Sequence, residues 1–227
     1  MVGAAAVKPG YAEARQNMVD NQLRANKVVD EDLIAVMGRL PREAFVPEHL
    51  RGIAYVDEDV ALGSGRCLIE PMVLARLIQA AAVRPGDKVL VLGCATGYGA
   101  AVLAGLGAQV TGVDSDPKLL DRARSALAAA QVRGVTLAAA PVEAGYGAGG
   151  PYDVILIEGA VERVPPAVLG QLADGGRLVT VLAEPGAVGE GTLLQATRKG
   201  SPPARVPLFD AATPVLPAFT VERSFVF

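Results

Sequence analysis

The chain contains no tryptophan, one histidine (His49) and two cysteines (Cys67 and Cys94) in 227 residues. With one histidine, His-based triads and two-histidine metal sites are set aside, and no metal is expected. Two cysteines give neither a disulfide framework nor a zinc spacing, which suits a reducing cytoplasm. No apolar run approaches the roughly 18–20 residues that a membrane span needs. The opening residues MVGAAAVKPG have neither a charged n-region nor a real h-region, so no secretory signal is expected. A formal charge of −3 and the missing tryptophan argue against a basic, aromatic-lined nucleic-acid surface. No G-x-x-x-x-G-K-[ST] occurs, so NTP hydrolysis is not expected.

What is present is apolar sequence in short, punctuated runs. Hydrophobic residues make up 51% of the chain, enough for one well-buried α/β domain over residues 1–227. The expected parts are N-terminal helices with a substrate-side loop (1–70), a cofactor-binding core (71–183) and C-terminal strands forming an antiparallel hairpin (184–227). Residues 11–26 read as a helix, and Asp30 as the N-cap of a second that buries Leu33, Ile34, Val36 and Met37. The segment after Pro41 reads as an ordered loop in which Phe45, Val46, Ile53, Tyr55 and Val60 need burial. Pro71 is expected at a first helical position, and Asp116-Pro117 is a cap followed by a first helical residue. Strands are expected at 135–139, 153–157 (ending at Glu158), 177–182, 192–198 and 219–227, with a short helix from Pro165 to about Ala173.

The organising stretch is KVLVLGCATGYGAAVLAGLGAQVTGVDSD, residues 88–116. A buried strand, a glycine turn over Gly93–Gly97, a helix and a second apolar strand make a βαβ unit with parallel strands. Asp114 follows Gly93 by 21 positions, close to the spacing at which an acid meets a nucleotide ribose. A dinucleotide fingerprint wants glycines at 93, 95 and 98, but positions 95 and 98 are Ala and Tyr. The turn therefore suits a nucleoside without phosphates, S-adenosylmethionine, better than a nicotinamide or flavin cofactor. Asp114 reads as the acceptor for ribose hydroxyls or, more plainly, as a turn residue beside Ser115 and Asp116. Glu158 faces the crevice at the sheet's carboxyl edge or is a solvated loop acid.

At this point the chain resembles the protein-L-isoaspartate O-methyltransferases, which use S-adenosylmethionine to methylate damaged aspartyl residues in protein repair. The resemblance is carried by MVDNQLRANKVVDEDLIAVMGRLPREAFVPEHLRGIAYVDEDVALGSG, then by VLGCATGYGAAVLA, PYDVILIEGA, VPPAVLGQL and DGGRLV. It implies a Rossmann-like methyltransferase fold with a mostly parallel, doubly wound sheet. The partner implied is a protein or peptide bearing isoaspartyl residues. It further implies a cofactor site at Gly93, Cys94, Ala95, Gly97, Asp114, Ser115 and Val142, and a substrate-side loop of Arg66, Cys67, Leu68, Ile69 and Glu70.

The chain departs from the family at telling places. The family's Thr-Ile-Ser-x-Pro loop is here Cys67-Leu68-Ile69-Glu70-Pro71, so Ile69 replaces the serine beside the methyl-transfer site and no hydroxyl remains. Val91 stands for an acid, Ala95 for the second glycine, and Ala140-Pro141-Val142 for Gly-Asp-Gly at the adenine end. Each lost charge-assisted hydrogen bond is worth roughly 1.5–3 kcal/mol, about one to two decades of affinity. Three functions stay open at this stage. One is isoaspartyl carboxyl methylation; one is methylation of another substrate, with Glu70 or Glu158 as general base and Arg66 pairing an acidic group. The third is a non-catalytic binding protein that kept the fold.

Overall fold

The computed structural model describes residues 9–183, 188–196 and 202–221. Local signals place its helices where the sequence puts them. Helix α1 (Pro9–Met18) continues through a π turn (Val19–Leu23) and a 3-10 turn (Arg24–Asn26). It stops where Lys27 takes a left-handed φ of 66°. Asp30 caps α2 (Glu31–Arg39), its carboxylate accepting from the Leu33 N–H at 3.0 Å. Pro71 opens α3 (Pro71–Ala81) and Pro117 opens α5 (Pro117–Ala129), the latter capped by Asp116 through the Lys118 N–H at 2.8 Å. Between α2 and α3 lie two 3-10 turns and a small hairpin, β1 (Val60–Gly63) and β2 (Arg66–Leu68).

The main sheet comprises β3 (Lys88–Leu92), β4 (Gln109–Asp114), β5 (Val135–Ala139), β6 (Tyr152–Val161), β7 (Leu172–Leu182), β8 (Gly189–Gln195) and β9 (Ala204–Ala211). Their order is β5-β4-β3-β6-β7-β8-β9, with β5 to β7 parallel and β8 and β9 antiparallel. The chain builds outward from β3 to β5 on one side and from β6 on the other. The crevice at the carboxyl ends of β3 and β6 is therefore the topological switch point, where open α/β sheets bind ligands. Two-residue alternation divides the core. Val89 and Val91 face the side covered by α2, α3, α4 (Tyr98–Gly105) and α5, and Leu90 and Leu92 join Ile155, Ile157 and Val168 of α6 (Pro166–Leu169) on the other. Among the described residues no helix is long and apolar enough to cross a membrane.

Several expectations need correction. The fourth main-sheet strand of the chain does not end at Glu158 but runs to Val161. Between Leu156 and Ala160 β6 advances four residues while β7 advances from Val179 to Val181, a bulge that turns Glu158 inward. The helix after Pro165 ends at Leu169, because β7 begins at Leu172 and takes in Asp174–Gly176 as a second irregularity. The strand expected at 192–198 spans Gly189–Gln195 and pairs antiparallel with β7 and with Ala204–Ala211, a strand not expected. Residues 217–219 form a 3-10 turn, and 222–227 lie outside the described residues. Ile53 is 46% exposed at the end of its own 3-10 turn, so its apolar character does not translate into burial.

The N-terminal helices reach the crevice through one close approach. A Cβ on Gly105, at the end of α4 (Tyr98–Gly105), would lie 2.6 Å from Val36 Cγ1 of α2. Gly105→Val should therefore destabilise the chain by about 1–3 kcal/mol in urea denaturation, with part recovered by adding Val36→Ala. An unfolding midpoint equal to wild type would show that α2 is not seated on α4 in this way.

Candidate active site

The glycine turn is strung between β3 and α4 with three left-handed residues: Gly93 (φ 69°), Ala95 (φ 46°) and Gly97 (φ 87°). Glycine adopts this conformation freely, whereas an alanine there carries a cost of roughly 1–2 kcal/mol. Ala95 is held to it by its own amide, which donates to Asp114 Oδ2 at 3.0 Å. The Cys94 N–H reaches Val113 O at 3.1 Å, so the turn is stitched to the end of β4 twice over.

Asp114 is 0% exposed and its carboxylate is fully used. Oδ2 accepts from Ala95 N and from Arg66 Nε at 3.0 Å; Oδ1 accepts from Asp116 N at 3.0 Å and from Arg66 Nη2 at 3.3 Å. A carboxylate offers about four lone-pair positions, and all four have donors. Arg66 Nη2 also reaches the exposed Ser115 hydroxyl at 3.2 Å. Arg66 does pair with an acid, but the acid belongs to this chain and stands 48 positions away.

The loop that follows is apolar and dry. Cys67, Leu68 and Ile69 are buried, and burial together with the Asp59 and Glu158 charges pushes the Cys67 thiol up to about 12. The fully buried Arg42 pins this loop from behind. Its Nη2 donates to Ile69 O at 2.7 Å, its Nε to Ala54 O at 2.6 Å, and its guanidinium lies 4.8 Å from the Tyr98 ring centroid. Glu70 occupies the N-cap position of α3 without a side-chain cap bond, while its own N–H donates to Asp59 Oδ1 at 2.7 Å. Partial burial, then the neighbouring Asp57 and Asp59 charges, raise its carboxyl to about 7.

Glu158 is no loop acid. It is 5% exposed, and a Cβ on Gly99 would lie 2.3 Å from its Oε1, so the carboxyl fills a cradle that only glycine leaves open. Burial raises it to about 8, against the pull of the Gly99 N–H and the Arg42 guanidinium. Val142 is fully buried in a 3-10 turn (Val142–Ala144), within the apolar cluster that includes Leu216 and Phe219. Leu216, absent from the expected site, lies over the glycine turn: a Cβ on Gly93 would be 3.0 Å from its Cδ1. Arg66, the glycine turn and Asp114 thus meet at the carboxyl ends of β3 and β4, and the Glu158 carboxyl packs against Gly99.

A family model described as protein-L-isoaspartate(D-aspartate) O-methyltransferase matches residues 13–202. The chain belongs to this family. It is 41% identical over 192 residues to the protein-L-isoaspartate O-methyltransferase of Methylorubrum extorquens strain PA1, covering 85% of this chain and 82% of that one. A relative of the same description from Methanoculleus marisnigri is 38% identical over 165 residues, covering 73% and 75%. Two solved structures share the fold at a TM-score of 0.75. One, a protein-L-isoaspartate O-methyltransferase, is 21% identical over 88% of this chain and 65% of its own. The other, from Plasmodium falciparum, is described as a candidate member in complex with S-adenosyl-L-homocysteine; it is 16% identical, covering 90% and 98%.

S-adenosylmethionine is the family's cofactor. The residue types at the crevice suit it: a glycine turn at a strand end and a carboxylate at the next strand's exit. In this arrangement they are covered: Arg66 holds both Asp114 oxygens and Leu216 packs on Gly93.

The raised Glu158 carboxyl has a consequence for stability. Between the ordinary carboxylate range and about 8, the folded chain keeps a proton that the unfolded chain has released. Stability therefore falls as pH rises through that window. Glu158→Gln stays neutral throughout, so its stability relative to wild type should improve from pH 5 to pH 8.5 in urea denaturation. A difference that does not change with pH would contradict the assignment.

Proposed function

We propose that this chain is an S-adenosylmethionine-dependent carboxyl O-methyltransferase acting on isoaspartyl residues of proteins, a repair activity. The observation that carries the reading is the match over residues 13–202, with Asp114 and the glycine turn at the switch point of the sheet supporting it. The cofactor's contribution is the methyl group. The chain's own contribution is position and dryness. An isoaspartyl carboxylate is ionised at neutral pH and already nucleophilic, so it needs alignment and exclusion of water rather than a base. The buried 67–69 loop, fixed by Arg42 through the Ile69 carbonyl, supplies an apolar wall.

Two ionisable groups of the site, Glu158 and Cys67, agree with a reaction that needs no base. Glu158, raised to about 8, holds its proton at neutral pH and is not a base there; its Oε2 has no partner among the described residues. Cys67, pushed up to about 12, is not a nucleophile. The loop lacks a hydroxyl at Ile69, which costs rate rather than chemistry.

Incubation with labelled S-adenosylmethionine and paired peptides tests the reading. A base-labile methyl ester should form on the isoaspartyl peptide and not on its normal aspartyl counterpart; label on neither, or on both alike, would reject it. In the same assay Ile69→Ser should raise kcat/KM for the isoaspartyl peptide about tenfold, the equivalent of ~1.4 kcal/mol, once folding is verified by circular dichroism. An unchanged or lower value would show that the wall does not border the reacting group.

A further inference from the structure

Two segments far apart in sequence close the crevice, and they touch each other there. The first is the tip of the β1–β2 hairpin. Gly63, Ser64 and Gly65 take φ of 89°, 54° and 67°, which aims the tip at the exit of β4. The Ser64 hydroxyl donates to Asp116 Oδ2 at 2.6 Å, and Arg66 spans Asp114 and Ser115. The tip is thus clasped to three consecutive residues.

The second is the stretch 214–219. It adds to the end of β6 through Ala160 N to Pro214 O at 3.0 Å and Leu216 N to Ala160 O at 2.9 Å. Leu216, 1% exposed, fills the gap between Gly93 and Gly159: a Cβ on Gly159 would lie 2.5 Å from Leu216 Cγ. Pro217 seats on the hairpin tip, with its Cγ 2.5 Å from where a Gly65 Cβ would stand. Three glycines in three different elements, Gly65 of the hairpin tip, Gly93 of the glycine turn and Gly159 of β6, therefore make room for this one stretch.

We infer that the hairpin tip (63–66) and the 214–219 stretch form a self-closing latch over the cofactor crevice, with Arg66 as the displaceable occupant of Asp114. The inference rests on the proposed reading of Asp114 as the ribose partner. A ribose hydroxyl and Arg66 compete for the same carboxylate oxygens, so the nucleoside binds only the fraction of molecules in which the latch is open. Its apparent dissociation constant is the intrinsic one divided by that fraction. Displacement removes the one cationic donor of Asp114, which keeps the open fraction small. Arg66 sits beside the exposed Gly65 and Ser115, and Asp114 keeps the Ala95 and Asp116 N–H donors.

Two readouts on the full chain test this. Hydrogen–deuterium exchange without ligand should quicken in both 63–68 and 214–221 for Arg66→Ala relative to wild type. Exchange unchanged in the 214–221 stretch would overturn the latch. Calorimetric titration with S-adenosylhomocysteine should then show Arg66→Ala binding at least tenfold more tightly than wild type; equal or weaker binding by the variant would overturn the competition. If exchange quickens but neither protein binds the nucleoside, the latch stands and the cofactor reading of Asp114 falls. Should Arg66→Ala fold poorly, Ser64→Ala removes only the exposed clasp on Asp116. It should shift both readouts in the same direction by a smaller amount, and no shift in either would count against the latch.

Discussion

Everything at the carboxyl edge of this sheet is arranged around one buried carboxylate. Asp114 has no access to water, so its charge must be met by protein donors, and the structure supplies four of them from three elements. The Ala95 amide fixes the glycine turn, the Asp116 amide starts α5, and Arg66 ties in the hairpin. Removing one partner of such a buried pair costs several kcal/mol, about 3–5. That is why residues 66, 95 and 116 are bound into one unit. The same carboxylate stands where the fold presents an acid to a nucleoside, so structural satisfaction and ligand recognition draw on the same oxygen atoms.

This double use gives a physical sense to the chain's departures from its family. Ile69, Ala95 and Val142, expected from the resemblance to stand where the family has polar or glycine residues, are all buried. Ala95 tolerates its left-handed φ because Asp114 holds its amide. Glu158 is tolerated in the interior because a β6 bulge and Gly99 make space for it, at the expense of an ordinary acidity.

Much of the framework was legible in sequence because its signals are local. Asp30 and Asp116 announce helix starts through bonds to residues two or three positions on, and Pro71 and Pro117 by their fixed φ. The βαβ unit shows in a change of apolar period. The edge strand β9 was missed because its first four residues are exposed, leaving no alternation to read, while the alternating 219–221 stretch belongs to a turn region. Bulges in β6 and β7 were invisible, since they depend on register with a neighbour. The site was legible as a set of residues but not as a set of partners. Arg66 and Asp114 meet across 48 positions, and Leu216 reaches Gly93 across the whole core. Nothing in the chemistry of an arginine between Gly65 and Cys67 says which acid it will find.

The central claim is that the oxygens of Asp114 serve Arg66 and a nucleoside in turn. A crystal structure of the chain grown with S-adenosylhomocysteine addresses it directly. The expected result is ribose hydroxyls within hydrogen-bonding distance of Asp114, with the Arg66 side chain rotated toward solvent and Leu216 lifted from Gly93. A nucleoside bound elsewhere, with the Arg66–Asp114 pair intact, would contradict it.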